Sequence, residues 1–203
     1  FSEDPFLTGK MAAVQLRAMH KYGVTGTIKH FTCNNQEVSR HFAMGVVSER
    51  ALREIYLKGY EIAVKEGDAR SIMTTYGPVN GLWTAGNYDL NTTILRKEWG
   101  YTGIVMTDWW AKVNEEGQEA TIQNTAAMVR AQNDLYMVTG DSYNNGNQDN
   151  SEEELEKGTV KREEFVRCAA NICKFLLESY AYTRMMGRTN ALDEQLQKVA
   201  EEE

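Results

Sequence analysis

Apolar and polar positions alternate along the 203-residue chain with two distinct periods. Four short runs are apolar and rich in β-branched residues: Thr25 to Phe31, Ser71 to Tyr76, Gly103 to Trp109 and Asp134 to Val138. Such runs read as buried strands. Between them apolar residues recur every three or four positions, as amphipathic helices require. Thr8 is placed to cap a helix running to Lys21, with Met11, Val14 and Ala18 on one face. Ser48 is placed to cap a longer one through Leu52, Ile55, Gly59, Ile62 and Ala63. A short helix follows Asn91 as its cap and carries Ile94, Leu95 and Glu98; another spans Glu119 to Ala131. The last repeats Phe165, Ala169, Ile172 and Leu176 at helical spacing. The stretch Gly140 to Asn150, rich in Asn, Asp and Gly, reads as a loop.

Strand then helix, four times over, predicts βαβ units on a parallel sheet. The expected class is α/β: about four parallel βα units making half of a TIM-type (β/α)8 barrel over 1–188, with a solvated tail or linker over 189–203. Four parallel strands alone expose two sheet edges. A missing barrel half or a second copy of the chain, forming a homodimer, is therefore an expected partner. The opening segment Phe1-Ser2-Glu3-Asp4-Pro5-Phe6-Leu7 reads as the interior of a longer chain.

Composition narrows the function. A hydrophobic content of 42% and a charged content of 25% fit a folded globular chain. The net charge of -7 argues against a nucleic-acid partner, which wants a Lys/Arg excess. No apolar run approaches the roughly 18 residues needed to span a membrane. Cys33, Cys168 and Cys173 show no disulfide-framework spacing and read as reduced core thiols, which leans the compartment towards the cytoplasm. His20, His30 and His41 lack metal-ligand spacing, so no metal or other cofactor is expected. Asp141, Asn145, Gly146 and Glu152 fall at calcium-loop positions, but Tyr143 breaks the pattern and a polar loop is the preferred reading.

The candidate chemistry gathers at the strand ends. Lys29-His30-Phe31 ends the first strand, Met73-Thr74-Thr75-Tyr76 the second and Thr107-Asp108-Trp109 the third. In a parallel barrel all C-terminal strand ends face one side, where active sites lie. Lys29, His30, Tyr76, Asp108 and Trp109 should therefore share one pocket. The set suits a polyhydroxylated substrate: Lys and His bind hydroxyls, Trp stacks on a sugar ring, and Asp attacks an acetal carbon. Tyr76 is placed to donate a hydrogen bond to that carboxylate.

The run Lys29-His30-Phe31-Thr32-Cys33-Asn34-Asn35-Gln36-Glu37 resembles the signature of glycoside hydrolase family 3, in its β-glucosidase branch. Ser48 to Leu57, Ile72 to Tyr76 with Val79-Asn80-Gly81, and Leu95 to Gly103 resemble its succeeding segments in order. The resemblance spans Phe1 to Tyr180. It implies the C-terminal half of the catalytic barrel of a retaining β-glycosidase that releases terminal β-D-glucosyl residues from small glycosides. Asp108 is implied as the nucleophile that forms a glycosyl ester. Lys29, His30, Arg40, Met73 and Tyr76 would bind the terminal sugar, with Trp109 at the wall. The family's acid/base, commonly a Glu, comes from a separate domain, and none of Glu37, Glu98 and Glu115 is assigned that role. Glu98 is expected to pair with an Arg, and Trp99 to pack in the core. Gly77-Pro78 stands where the family usually has Tyr-Asn, at a loop bordering the pocket. The alternative to an enzyme is a non-catalytic half-barrel that folds by self-association or complementation.

Overall fold

The computed structural model describes residues 1–188 together with positions 193, 194, 198 and 201. Apart from those four positions, the expected tail over 189–203 lies outside the described residues.

Helix α1 (Pro5–Lys21) begins with proline at its first turn, and Asp4 rather than Thr8 is its cap. The Asp4 carboxylate accepts Phe6 N–H at 2.8 Å and Leu7 N–H at 3.1 Å. Thr8 is already inside the helix, where its hydroxyl donates to Ser2 C=O. Its buried face is Gly9, Ala13 and Leu16. Strand β1 (Thr27–Phe31) follows, then helix α2 (Glu49–Ala51), capped by Ser48 as expected. A π-turn over Leu52–Tyr56 separates α2 from α3 (Lys58–Gly67). Leu57 N–H reaches Leu52 C=O, five residues back. That wide turn shifts the helical phase. Ile55, expected inside, is 51% exposed, and Leu57 is buried in its place. Small residues let α1 and α3 cross closely: a Cβ on Gly9 would lie 2.7 Å from the Ile62 Cβ, and one on Gly67 2.7 Å from the Ala13 Cα.

Strand β2 (Ser71–Thr74) leads into a hairpin of β3 (Pro78–Val79) and β4 (Leu82–Trp83). Its turn, Asn80-Gly81, has φ of 50° and 94°, the pairing a two-residue hairpin favours. The Asn80 amide holds Val47 by its N–H and C=O, both at 2.9 Å, which ties the hairpin to the loop after β1. A π-helical segment, Asp89–Glu98, precedes β5 (Ile104–Trp109). Its start is held by Asn87, whose amide oxygen accepts Leu90 N–H. Asn91, expected as the cap, is instead fully buried and donates to Thr84 C=O at 2.8 Å.

Helix α4 (Thr125–Arg130) is shorter than the expected Glu119 to Ala131 span. Thr121 pairs instead with Val113 across the loop, by hydrogen bonds of 2.8 and 3.0 Å. Strand β6 (Leu135–Met137), α5 (Ser151–Glu156), α6 (Arg162–Leu177) and α7 (Tyr180–Met185) complete the chain. On α6 Cys168 is the buried residue, with Phe165 and Ile172 half-buried, whereas Ala169 and Leu176 are exposed. Cys173 is exposed and Cys33 half-buried, so only Cys168 is a core thiol. In the loop before α5 the Asp141 carboxylate accepts two hydrogen bonds from Asn144, and Glu152 faces solvent.

The main sheet is parallel throughout in the order β1-β2-β5-β6. Sequential parallel strands with helical crossovers are the repeat of a (β/α)8 barrel, and four units make half of one. One apolar cluster packs helices on the sheet: Leu16, Phe31, Leu57, Ile72, Leu95 and Val105. Trp99 packs against it, edge-on to Phe31 at 6.4 Å. A second cluster joins Val113, Met128, Val129, Val160 and Cys168. Among the described residues no helix is long and apolar enough to cross a membrane.

Candidate active site

Strand β5 places Asp108 by alternation. Val105 and Thr107 are fully buried, Val105 in the helix-facing core. Met106 and Asp108 therefore share the opposite face. On β2 Met73 is in register with Met106 and is 9% exposed, so it belongs to the same face. Asp108 stands one residue before the strand's end and is 7% exposed. One carboxylate oxygen accepts Trp109 N–H at 2.8 Å.

His30 Nε2 lies 3.4 Å from the other oxygen. Plain alternation along β1 would put Lys29 and His30 on opposite faces. The pairing of β1 with β2 shifts register between Ile28 and Phe31, and this irregularity re-aims His30 towards β5. Lys29 is exposed and lines the groove along the free edge of β1.

Tyr76, 9% exposed, follows β2, and its phenol is close enough to the Asp108 carboxylate to feel its charge. Burial first, and then the Asp108 charge, raise the Tyr76 pKa. The phenol stays protonated, as a donor must. Its ring is held by two neighbours: the Arg40 guanidinium 4.8 Å from the centroid, and the His41 ring at 4.2 Å. Arg40 is anchored in turn by Glu37 at 3.0 Å. His41 was not among the residues singled out from sequence; stacking on Tyr76 depends on the fold of the loop after β1. Gly77 lets that loop approach, since a Cβ there would sit 3.1 Å from Ala43 C=O.

The structure thus brings Asp108, His30 and Tyr76 into direct proximity, with Arg40 behind Tyr76 and Met73 on the same sheet face. Trp109 is half exposed at the end of β5. Three other carboxylates are each held by a cation. Glu37 is bound to Arg40, Glu98 to Arg53 by two hydrogen bonds, and Glu115 to Arg130.

Burial is the largest influence on His30 and lowers its pKa below the ordinary histidine value of about 6.5. Asp108 opposes this, while Lys29 and Arg40 reinforce it. Neutral His30 at pH 7 can donate one hydrogen bond and accept another. Acidification protonates the unfolded chain before the folded one, so the contribution of this group to stability falls as pH drops through the unfolded value. The His30 ring signal is expected to titrate below pH 6.5, and lower still in Asp108→Asn, which removes the opposing charge. An NMR titration that moved His30 upward in Asp108→Asn would contradict this electrostatic assignment.

Residues 1–174 match the Glycosyl hydrolase family 3 N terminal domain. The chain is 57% identical over 193 residues to a beta-glucosidase of Ruminococcus albus, an overlap of 95% of this chain and 20% of that protein. The crystal structure of a beta-glucosidase from Paenibacillus barengoltzii superposes with a TM-score of 0.88 at 60% identity, over 90% of this chain and 20% of that one. Beta-glucosidase 3B from Thermotoga neapolitana, solved in complex with glucose, gives a TM-score of 0.80 at 36% identity, over 100% of this chain and 27% of that one. The chain therefore spans about a fifth of the length of these first relatives. A family match over most of the chain, joined to a parallel half-barrel of the same shape, means that this chain belongs to glycosyl hydrolase family 3, within its N-terminal domain.

Proposed function

We propose that the chain carries the nucleophile and glucosyl-binding half of the active site of a retaining β-glucosidase. The observation that carries the reading is the Asp108 carboxylate. It is nearly buried at a strand's C-terminal end, with one oxygen accepting a backbone N–H, the other 3.4 Å from His30, and the Tyr76 phenol nearby. Asp108 attacks the anomeric carbon, the aglycone leaves with a proton from an acid, and water later cleaves the glucosyl ester. His30 binds a sugar hydroxyl, Arg40 and Tyr76 close the subsite, and Met73 and Trp109 supply apolar surface. Lys29, next to His30 but lining the β1 groove, joins the subsite only by swinging its exposed side chain across.

Retaining chemistry needs a second carboxyl group about 5–5.5 Å from the nucleophile. Glu37, Glu98 and Glu115 are engaged elsewhere, so the reading takes the acid/base from outside this chain. The relatives, about five times longer, leave room for it.

The experiment is trapping with 2,4-dinitrophenyl 2-deoxy-2-fluoro-β-glucoside. Its leaving group departs without an acid, so the reagent isolates the nucleophile. A single adduct, mapped to Asp108, is expected. A folded protein that takes no adduct, or takes it at another residue, would sink the reading.

A second reading has its own observation. Among the described residues, β1 of the main sheet pairs only with β2 and β6 only with β5. Beside the free edge of β1 runs a groove of about 950 Å³ lined by Leu16, Met19, Ile28, Tyr56 and Tyr60. We infer that a further βα segment of a longer protein seats there and closes the barrel. Sedimentation velocity tests this on the 203-residue chain. Self-association would make the second copy the occupant instead, and a well-folded monomer would count against both.

A further inference from the structure

Trp110 is two residues beyond Asp108 and 52% exposed. Its φ is 51°, a left-handed backbone that a bulky side chain adopts at a cost. Two hydrogen bonds hold the chain there: Trp110 N–H donates to Met137 C=O at 2.7 Å, and Ala111 N–H to Asp108 C=O at 3.3 Å. Along a regular strand Trp109 and Trp110 would point to opposite faces. The left-handed residue ends that alternation. The two indole rings meet instead at 5.7 Å between centroids, with their planes at 83°. Two perpendicular aromatic walls, each about half exposed, thus form a corner at the C-terminal end of β5.

This corner fits a leaving group. A glucosyl ring whose C1 faces Asp108 projects its aglycone away from the carboxylate, outward past the strand end. The residues that follow Asp108 at the end of β5 are the two tryptophans, Trp109 closing the strand and Trp110 just beyond it. A flat ring can lie on one indole face and present its edge to the other, the two arrangements that aromatic pairs prefer. A small alkyl group gains contact with one wall at most.

We propose that Trp110 is a specificity-determining residue: with Trp109 it forms a two-walled receptor for the aglycone that favours flat, aromatic leaving groups over small aliphatic ones. The proposal rests on the β-glucosidase reading above and deepens it.

The test uses the intact protein and two variants. Trp110→Gly suits the left-handed backbone and removes the wall; Trp110→Phe keeps a ring. The readouts are kcat/KM on phenyl and methyl β-glucoside, and inhibition by glucose, which occupies the sugar subsite alone. Trp110→Gly is expected to lower kcat/KM for the phenyl substrate about five- to tenfold, mainly through KM. The methyl substrate and the glucose inhibition constant should stay within about twofold, and Trp110→Phe should recover most of the loss. Equal losses on both substrates, no loss on either, or failure of Trp110→Gly to fold would assign the ring to packing and overturn the proposal. Parent protein that cleaves neither glucoside and ignores glucose would overturn the underlying reading as well. That result is distinguishable, because it appears before any substitution is made.

Discussion

Asp108→Gly is expected to abolish turnover of aryl β-glucosides by the intact protein, a loss of about ten-thousandfold or more, while the fold persists. Removing a nucleophile leaves only the acceleration that binding and the remaining groups supply. The fold should tolerate the change because the carboxylate anchors little else. One oxygen accepts the adjacent Trp109 N–H, the other lies 3.4 Å from His30, and the neighbouring Tyr76 phenol is held independently by Arg40 and His41. Taking a charge out of a site only 7% exposed also removes a desolvation cost. The variant offers a sharper signature than loss. Its small cavity lies where the carboxylate approached the anomeric carbon, so azide can enter and attack from the same face. A carbon–nitrogen bond forms, the aryloxide leaves with the electron pair of the broken bond, and the product is the α-glucosyl azide. Assays with dinitrophenyl β-glucoside, with and without azide, and product stereochemistry by NMR decide the matter. A variant that keeps more than a tenth of the parent rate would show that the nucleophile is another residue.

Asp134→Ala is expected to cost about 3–5 kcal/mol of stability and to lower Tm by about 10 °C. The Asp134 side chain is fully buried and that of Arg96 is 9% exposed. The carboxylate accepts from Arg96 at 2.6 Å, from Val105 N–H at 2.9 Å and from Asn171 at 2.8 Å. It thereby joins the start of β6 to the Asp108 strand, to the π-helical segment before it and to α6. Truncation leaves the Arg96 guanidinium, still bonded to Gln132 and Gly103 carbonyls, without its counter-charge and the Val105 N–H without a partner, and these two losses carry most of the cost. An internal control is the Arg50–Glu54 pair, whose side chains are 84% and 61% exposed. Breaking it should change stability by less than about 0.5 kcal/mol. Thermal and urea unfolding of the three proteins measure both effects. An Asp134→Ala protein within about 1 kcal/mol of the parent would mean that the buried pair is energetically neutral.

The strands were the most legible part of the chain. All four expected runs became strands, because buried parallel strands are short, apolar and β-branched, and those properties are local. Helix phases were less legible. The π-turn at Leu52–Tyr56 exchanged Ile55 for Leu57 in the core, and sequence spacing carries no mark of an added residue per turn. Caps misled where two polar residues competed. Asp4 displaced Thr8 because Pro5 sets the first turn, and Asn87 displaced Asn91 because Asn91 is needed inside to hold Thr84.

The candidate site divides in the same way. Asp108 and Tyr76 were visible as polar residues ending apolar runs, and the pairing of Glu98 with an Arg was anticipated and found with Arg53. The approach of His30 to Asp108 depends on a register shift, and the hold of His41 and Arg40 on Tyr76 depends on the course of the loop after β1. Sequence by itself determined which residues form the parallel strands and which carboxylate ends the third of them, since periodicity and burial act within a few residues. Tertiary structure alone decided which groups face that carboxylate and that Trp110 turns to meet Trp109. Those arrangements arise from hydrogen bonds between elements about 30 or more residues apart, whose geometry no local pattern encodes.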